Sequence, residues 1–429
     1  MPKKKTKKSL RETKQRVNDT KSAKVVAFLY AVLALLPIIW TPLTADDIPN
    51  SGTRMGLIEQ PGNFFYNYFS YFFSHTKQWI DAEGRFFPGA TFYGITTHTI
   101  FQGVGVYKLF LFAISLTLFI LLYQVISRVL PFNIAILGTL FALSGYSLRY
   151  RYFHDGISSF AGQVPFAGVL FLTSLLLLID NKLGNKKYTF PISIFAFVFA
   201  ALIYEHIATF IPGVIIFLAL NSPKVFVKRN VISFSILLIL QFILTLSLRS
   251  GVKAGVAYTL DFQSTDFIRT AYRQLVSPLP MSQYLFAQAD FLGAVERNYL
   301  QNNLAWILTL SASFLAISLR AFQRLSDARI EKEKSAKSFS VFALGLNMAL
   351  VPSLLTGATV RWQSEIPGGQ GYLCVVLQSV GLGLMVASLL VLFQSFQSMG
   401  ARRKGTQAVV VLFAFLISQN IAWNWGFNY

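Results

Sequence analysis

Apolar runs long enough to cross a lipid bilayer recur from one end of the chain to the other. They fall near residues 24–43, 106–129, 132–147, 160–180, 188–203, 206–221, 230–248, 302–322, 339–357, 373–396 and 407–425. A segment lying in lipid must satisfy its backbone polar groups internally, so such runs dictate helices. Hydrophobic residues make up 54% of the chain and charged residues 13%, which sets soluble readings aside. The expected fold is an all-α polytopic membrane protein, with about eleven transmembrane helices and further helices parallel to the outer surface.

The net charge of +20 would suggest nucleic acid in a soluble chain, but here its location decides the matter. Basic residues cluster in the tail MPKKKTKKSLRETKQRVNDTKSAK, at Arg128, and in NKLGNKK, SPKVFVKRN, Arg320 to Lys337 and GARRKG. Eleven spans put all of these on one side, which the positive-inside trend makes the cytoplasm. The opposite face keeps equal numbers of acids and bases, so the excess is topogenic and no nucleic-acid partner is implied. The amino terminus is expected in the cytoplasm and the carboxyl terminus outside. Residues 1–23 read as a basic cytoplasmic tail that touches anionic membrane lipid, and 24–429 as a single integral membrane domain. The first run exceeds an ordinary signal-peptide core and contains Pro37 and Trp40, so it reads as an uncleaved anchor. Cys374 is the only cysteine, which excludes a disulfide framework and a cysteine metal site.

Residues 188–221 are too short for two full spans and long for one. Basic loops on both flanks require a short helical hairpin whose turn carries Tyr204, Glu205 and His206. Three segments on the outer side are long: 44–105, 249–301 and 358–371. The first opens on TADDIPN, with Asp46 and Asp47 just past the end of the first span. It continues into NFFYNYFSYFFSHTKQWID, where polar residues at Asn63, Asn67, Ser70, Ser74, Lys77 or Gln78, and Asp81 recur at helical spacing among aromatics. That pattern predicts an amphipathic helix lying along the membrane surface. In the second loop, STDFIRTAYRQLVSPLP predicts another amphipathic helix, ended by Pro278 and Pro280.

Further polar groups gather on the same side. Arg149, Arg151, His154 and Asp155 lie in SLRYRYFHDGISSF, a short outer loop where arginine is disfavoured and calls for a partner. Arg361 and Glu365 lie in TGATVRWQSEIPGG. No zinc spacing of the HExxH kind, phosphate-binding glycine loop or GxSxG elbow occurs. Carboxylates and arginines at an outer membrane face suit transfer from a lipid-phosphate donor to a hydroxyl. A carboxylate takes the hydroxyl proton and arginines hold the departing phosphate. His154, Asp155, Glu205, His206 and Glu365 are candidates for the substrate pocket.

TADDIPN, the aromatic helix and DAEGRFFPG together resemble the start of the GT-C superfamily of multi-span glycosyltransferases, in particular the bacterial GtrII-like and related uncharacterised glucosyltransferase families. The resemblance covers residues 24 to about 110 best. It implies a polyprenyl-phosphate sugar as donor, a cell-envelope glycan or glycolipid as acceptor, and a site on the non-cytoplasmic face of the bacterial cytoplasmic membrane. Asp46 and Asp47 match the acidic motif, and Arg85 matches the arginine that follows the surface helix. Arg149, Arg151 and Arg361 join Arg85 as phosphate-binding candidates by placement. No metal is expected to be required, although Asp46, Asp47 and Glu205 would form an oxygen-rich divalent-cation site if they converged. Two alternatives stay open: Asp47 or Asp46 as the base, and a transporter or flippase for a lipid-linked or anionic solute in place of an enzyme.

Overall fold

The computed structural model describes residues 7–43, 47–148, 156–157, 160–180, 188–251, 260–286, 291–322, 332–366, 371–396 and 399–426. Asp46, Arg149, Arg151, His154 and Asp155 lie outside them. The described chain is helical, with one isolated antiparallel bridge between Leu260 and Thr359. The first helix, α1 (Lys7–Leu35), is prolonged by a 3-10 turn at Leu36–Trp40. A helical loop follows, made of α2 (Asp47–Asn50), α3 (Thr53–Glu59), α4 (Phe64–Glu83) and α5 (Pro88–Ile100). The bundle continues with α6 (Val104–Val129), α7 (Phe132–Ser144), α8 (Gln163–Ile179), α9 (Thr189–Ile203), α10 (Ile211–Asn221) and α11 (Val227–Gly251). The second loop holds α12 (Thr265–Val276) and α13 (Ser282–Leu285), and α14 (Phe291–Phe322) and α15 (Lys332–Ala358) come next. The chain closes with α16 (Val360–Glu365), α17 (Val375–Phe396) and α18 (Met399–Gly426).

The protein is an all-α, multi-pass membrane protein. Among the described residues, seven helices are long and apolar enough to cross a bilayer: Lys21–Trp40, Val104–Val129, Phe160–Ile179, Val227–Thr245, Lys337–Ala358, Val375–Gln394 and Gln407–Trp425. Shorter apolar helices occupy Phe132–Ser144, Thr189–Ile203 and Glu205–Asn221. The chain reverses between the last two. Arg229, at the start of α11, sits 3.9 Å from the centre of the Phe190 ring at the start of α9, while Asn230 Nδ2 donates to Ser222 Oγ just past α10 at 3.1 Å. Both ends of the segment therefore meet the same end of α11, and the turn between them carries Glu205 and His206 at the other end of the bundle.

Small residues let α17 pack closely on two sides, as helices do where apolar burial gives no drive to associate. A Cβ built on Gly381 would lie 2.8 Å from the Gly345 carbonyl oxygen of α15, and one on Gly383 would lie 2.6 Å from the Gly138 carbonyl oxygen of α7. Neither oxygen can swing aside, because each belongs to a helix backbone. Gly381→Leu is accordingly expected to destabilise the bundle by about 1–3 kcal/mol, read as a lower melting temperature of the purified protein in detergent.

The amphipathic helix forms, as α4: Asn63, Ser70, Ser74 and Asp81 are exposed as the pattern suggests, and of these polar positions Asn67 turns inward. Asn67 is buried and donates Nδ2 to the Leu57 and Gln60 carbonyls at 2.9 and 3.1 Å. Phe65, Tyr66, Phe69 and Phe73 are exposed as well. The reason is local: the turn after α3 leaves two carbonyls without helical partners, and Asn67 is the side chain that reaches them. The exposed side of α4 thus carries both polar and aromatic side chains, while Tyr68 is buried against α5. Asn63 caps the helix by accepting from the Tyr66 N–H, and Gly84 ends it with φ 59°.

Candidate functional site

Asp47 begins α2 and is fully buried. Its Oδ2 accepts a hydrogen bond from the Tyr107 hydroxyl on α6, and its Oδ1 accepts from the Ala161 N–H at 3.0 Å. The Ala161 N–H reaches it because Phe160, Ala161 and Gly162 are all left-handed, with φ of 54°, 57° and 67°. Phe160 and Ala161 are L residues that pay for this conformation, about 1–2 kcal/mol each. The Tyr93 hydroxyl donates to the Ala161 carbonyl at 2.7 Å and helps to hold the loop. On the other side, Lys108 is fully buried and donates to the Pro42 carbonyl at 2.8 Å, fastening the exit of α1. Strain and buried polar contacts are both spent on fixing one carboxylate, a usual mark of a site in which geometry is functional.

Next to Asp47 opens a cavity of about 430 Å³. Asp47 itself is shut off behind the wall, and His98 of α5 lines the cavity in its place, with Nε2 3.8 Å from Asp47 Oδ1. Tyr71, His75 and Trp79 line it from α4 at four-residue intervals. Trp79 Nε1 donates to His75 Nε2 at 3.1 Å, and His75 stacks on Tyr71 with ring centres 5.5 Å apart. Arg85, Gln163, Glu205, His206, Arg361, Trp362 and Tyr372 complete the polar wall.

Arg85 pairs with Glu205 at 2.6 Å, the two side chains being 18% and 28% exposed, so each charge meets its partner in partly water-free surroundings. The Arg85 guanidinium also lies over the Phe87 ring, 4.5 Å from its centre. A second cavity of about 330 Å³ begins at the same pair. It shares Arg85, Glu205, His206, Trp362 and Tyr372 with the first, but its remaining wall is mostly apolar, including Leu238 and Phe242 of α11 and Leu355 of α15. Much of α11 turns to the surroundings, with Ile236, Ile239, Leu240 and Ile243 exposed. Gln241 and Thr245 add polar groups to this second wall.

The structure thus brings together Asp47, Arg85, Glu205, His206 and Arg361 of the residues expected from the sequence. Glu365 is placed differently: it stands one helical turn beyond Arg361 and pairs with it at 3.4 Å, holding the arginine and not lining the cavity. Of the three residues of the oxygen-rich cluster, Asp46 lies outside the described residues, Asp47 is engaged by Tyr107 and Ala161, and Glu205 by Arg85. Among the described residues no three His, Cys, Asp or Glu side chains converge. His98, Tyr107, Tyr93 and Lys108 were not anticipated. The signal that would have found His98 is its rarity: it is one of four histidines in the chain and stands inside an apolar helix of the acidic loop.

Burial pulls the His98 imidazole down to about 4 from its ordinary 6.5. As acid is added, the unfolded chain takes up this proton before the folded one. The stability contributed by neutral His98 is therefore full above about pH 6.5 and is lost as the pH falls toward 4. The melting temperature is expected to fall further between pH 7.5 and pH 5 in the wild type than in His98→Gln, the difference reporting this one group.

No family model matches the chain, and neither a curated protein nor a solved structure is similar to it. The functional reading consequently rests on the residues and their geometry.

Proposed function

We propose that the protein is a membrane glycosyltransferase that moves a sugar from a polyprenyl-phosphate donor to a cell-envelope glycan or glycolipid, on the non-cytoplasmic face of a bacterial cytoplasmic membrane. The observation that carries this reading is the meeting of the two cavities at Arg85. An amphiphilic donor has three parts, and the site offers a place for each. The apolar cavity beside α11 takes the hydrocarbon, Arg85 and Arg361 take the phosphate, and the polar cavity takes the sugar. Tyr71, His75 and Trp79 present aromatic groups to that sugar, whose C–H faces suit them.

In this reading the acceptor hydroxyl loses its proton at the Asp47 end of the polar cavity while its oxygen attacks the anomeric carbon. The bond from that carbon to the phosphate oxygen breaks, and its electron pair leaves with the lipid phosphate. Charge then accumulates where Arg85 stands, in surroundings poor enough in water to make the attraction strong. Arg85 must turn from Glu205 toward the phosphate, or share itself between them. The proposed topology has eleven crossings with the amino terminus in the cytoplasm, which puts the Asp47 and Glu205 end of the bundle outside.

The short helices α9 and α10, ending at Glu205, favour a second reading as a transporter of lipid-linked solutes, where interrupted helices commonly frame the binding site. One experiment separates the two. Protein in sealed vesicles receives radiolabelled polyprenyl-phosphate sugars and bacterial envelope lipids. Label appearing in a new glycan or glycolipid supports the transferase, and donor crossing the bilayer unchanged supports the transporter.

A further inference from the structure

Asp47 is poorly placed to take the proton directly. Asp47 is fully buried and absent from the cavity wall, so an acceptor hydroxyl in the polar cavity meets another group first. That group is His98, which lines the cavity and turns a fully buried Nε2 toward Asp47 Oδ1 at 3.8 Å. The Tyr107 ring lies beside the imidazole, with centres 5.5 Å apart, and the same tyrosine hydroxyl fixes Asp47. The three side chains come from α2, α5 and α6, so the bundle itself holds them in order: carboxylate inside, imidazole next, cavity outermost.

We propose that His98 is the catalytic base of this site and that Asp47 acts through it as a positioning residue. This inference rests on the transferase reading above. His98 carries its proton on Nε2, directed at Asp47, and offers the Nδ1 lone pair to the acceptor. As the acceptor oxygen bonds to the anomeric carbon, its proton passes to Nδ1, and the electron pair of the breaking carbon–oxygen bond leaves with the lipid phosphate. The imidazolium formed is stabilised by the Asp47 carboxylate, which itself takes no proton, the division of labour known from carboxylate–histidine pairs in acyl transfer. The ring moves about 1 Å toward Asp47 to make a hydrogen bond of ordinary length. Product release and loss of the proton to water restore the neutral ring.

The test uses the full-length protein in nanodiscs, polyprenyl-phosphate [14C]glucose as the probe and bacterial envelope lipids as acceptor. His98→Gln is expected to bind the donor as the wild type does, within about threefold, while kcat falls by at least about a hundredfold. His98→Ala is expected to regain part of its kcat when imidazole is added, which a merely structural role would not give. A wild-type kcat in His98→Gln, or a folded, donor-binding His98→Ala that imidazole leaves inactive, overturns the inference alone. A wild type that transfers no label overturns the transferase reading, and this inference with it. One measurement needs no His98 variant to fold. In 15N-histidine spectra of the wild type, assigned by replacing His75, His154 and His206 one at a time, His98 is expected with its proton on Nε2. A proton on Nδ1 instead overturns the relay, whatever the variants do.

Discussion

Asp47→Asn is expected to lower transfer by at least about a hundredfold, or about 2.7 kcal/mol of transition-state stabilisation. The substitution keeps the shape of the side chain but removes its charge, and with it both the anion that steadies a protonated His98 and the acceptor that sets the ring's tautomer. Part of the effect falls on stability. Asp47 accepts from two donors, the Tyr107 hydroxyl and the Ala161 N–H, whereas asparagine has one acceptor oxygen and presents an N–H₂ to the other. One buried donor then goes unsatisfied, at about 1–3 kcal/mol. The strained turn at Phe160–Gly162 loses one of its anchors as well. Initial rates in nanodiscs, set beside melting temperatures, separate the two effects: the rate of the folded fraction falls far more than the folded fraction itself. Asp47→Ala is expected to be worse on both counts, because it leaves both donors and a void.

Arg85→Ala is the second large effect, and it should appear mainly in donor binding. A charge-assisted contact to phosphate is worth about 1.5–3 kcal/mol, so the KM for donor is expected to rise by about tenfold to a hundredfold. The variant also takes from Glu205 the cation that now pairs with it at 2.6 Å. A partly buried carboxylate without its cation is costly, so Arg85→Ala is expected to melt lower than the wild type. The double variant Arg85→Ala/Glu205→Ala should recover stability and not affinity, which distinguishes a phosphate-binding arginine from one kept for the ion pair. Arg85→Lys is expected to fall between, since lysine retains charge but not the planar fork, nor its seat over Phe87. Donor-binding isotherms and melting curves on the four proteins give the answer.

Much of the fold is legible in the sequence because lipid leaves the backbone few choices. An apolar run of span length must be a helix, and helices occupy each of the segments so read. The short hairpin at 188–221 follows from basic residues on both flanks, and the Arg229–Phe190 contact shows its two ends together. What the pattern misreads is a single position, Asn67. The periodicity of α4 is right, but the side on which Asn67 sits depends on the carbonyls of a turn several residues away, which no helical wheel contains.

The site is legible in its charges and not in its neutral partners. Asp47, Arg85, Glu205 and Arg361 stand out because charge is rare in an apolar chain. Tyr107 and the Ala161 N–H do not: they lie 60 and 114 residues from Asp47, and neither a tyrosine in a span nor a backbone amide is unusual in itself. His98 falls between, unusual in its helix yet silent until the fold shows that it separates Asp47 from the cavity. Glu365 misleads for the opposite reason, its charge being used up on Arg361.

In the proposed function this bundle transfers a sugar with machinery centred on Asp47. This is tested most directly by incubating purified protein in nanodiscs with a pool of radiolabelled polyprenyl-phosphate hexoses and bacterial envelope lipids, and counting label in product over time. Label is expected in a new glycan or glycolipid with the wild type and none above background with folded Asp47→Asn. Equal transfer by both proteins would contradict it.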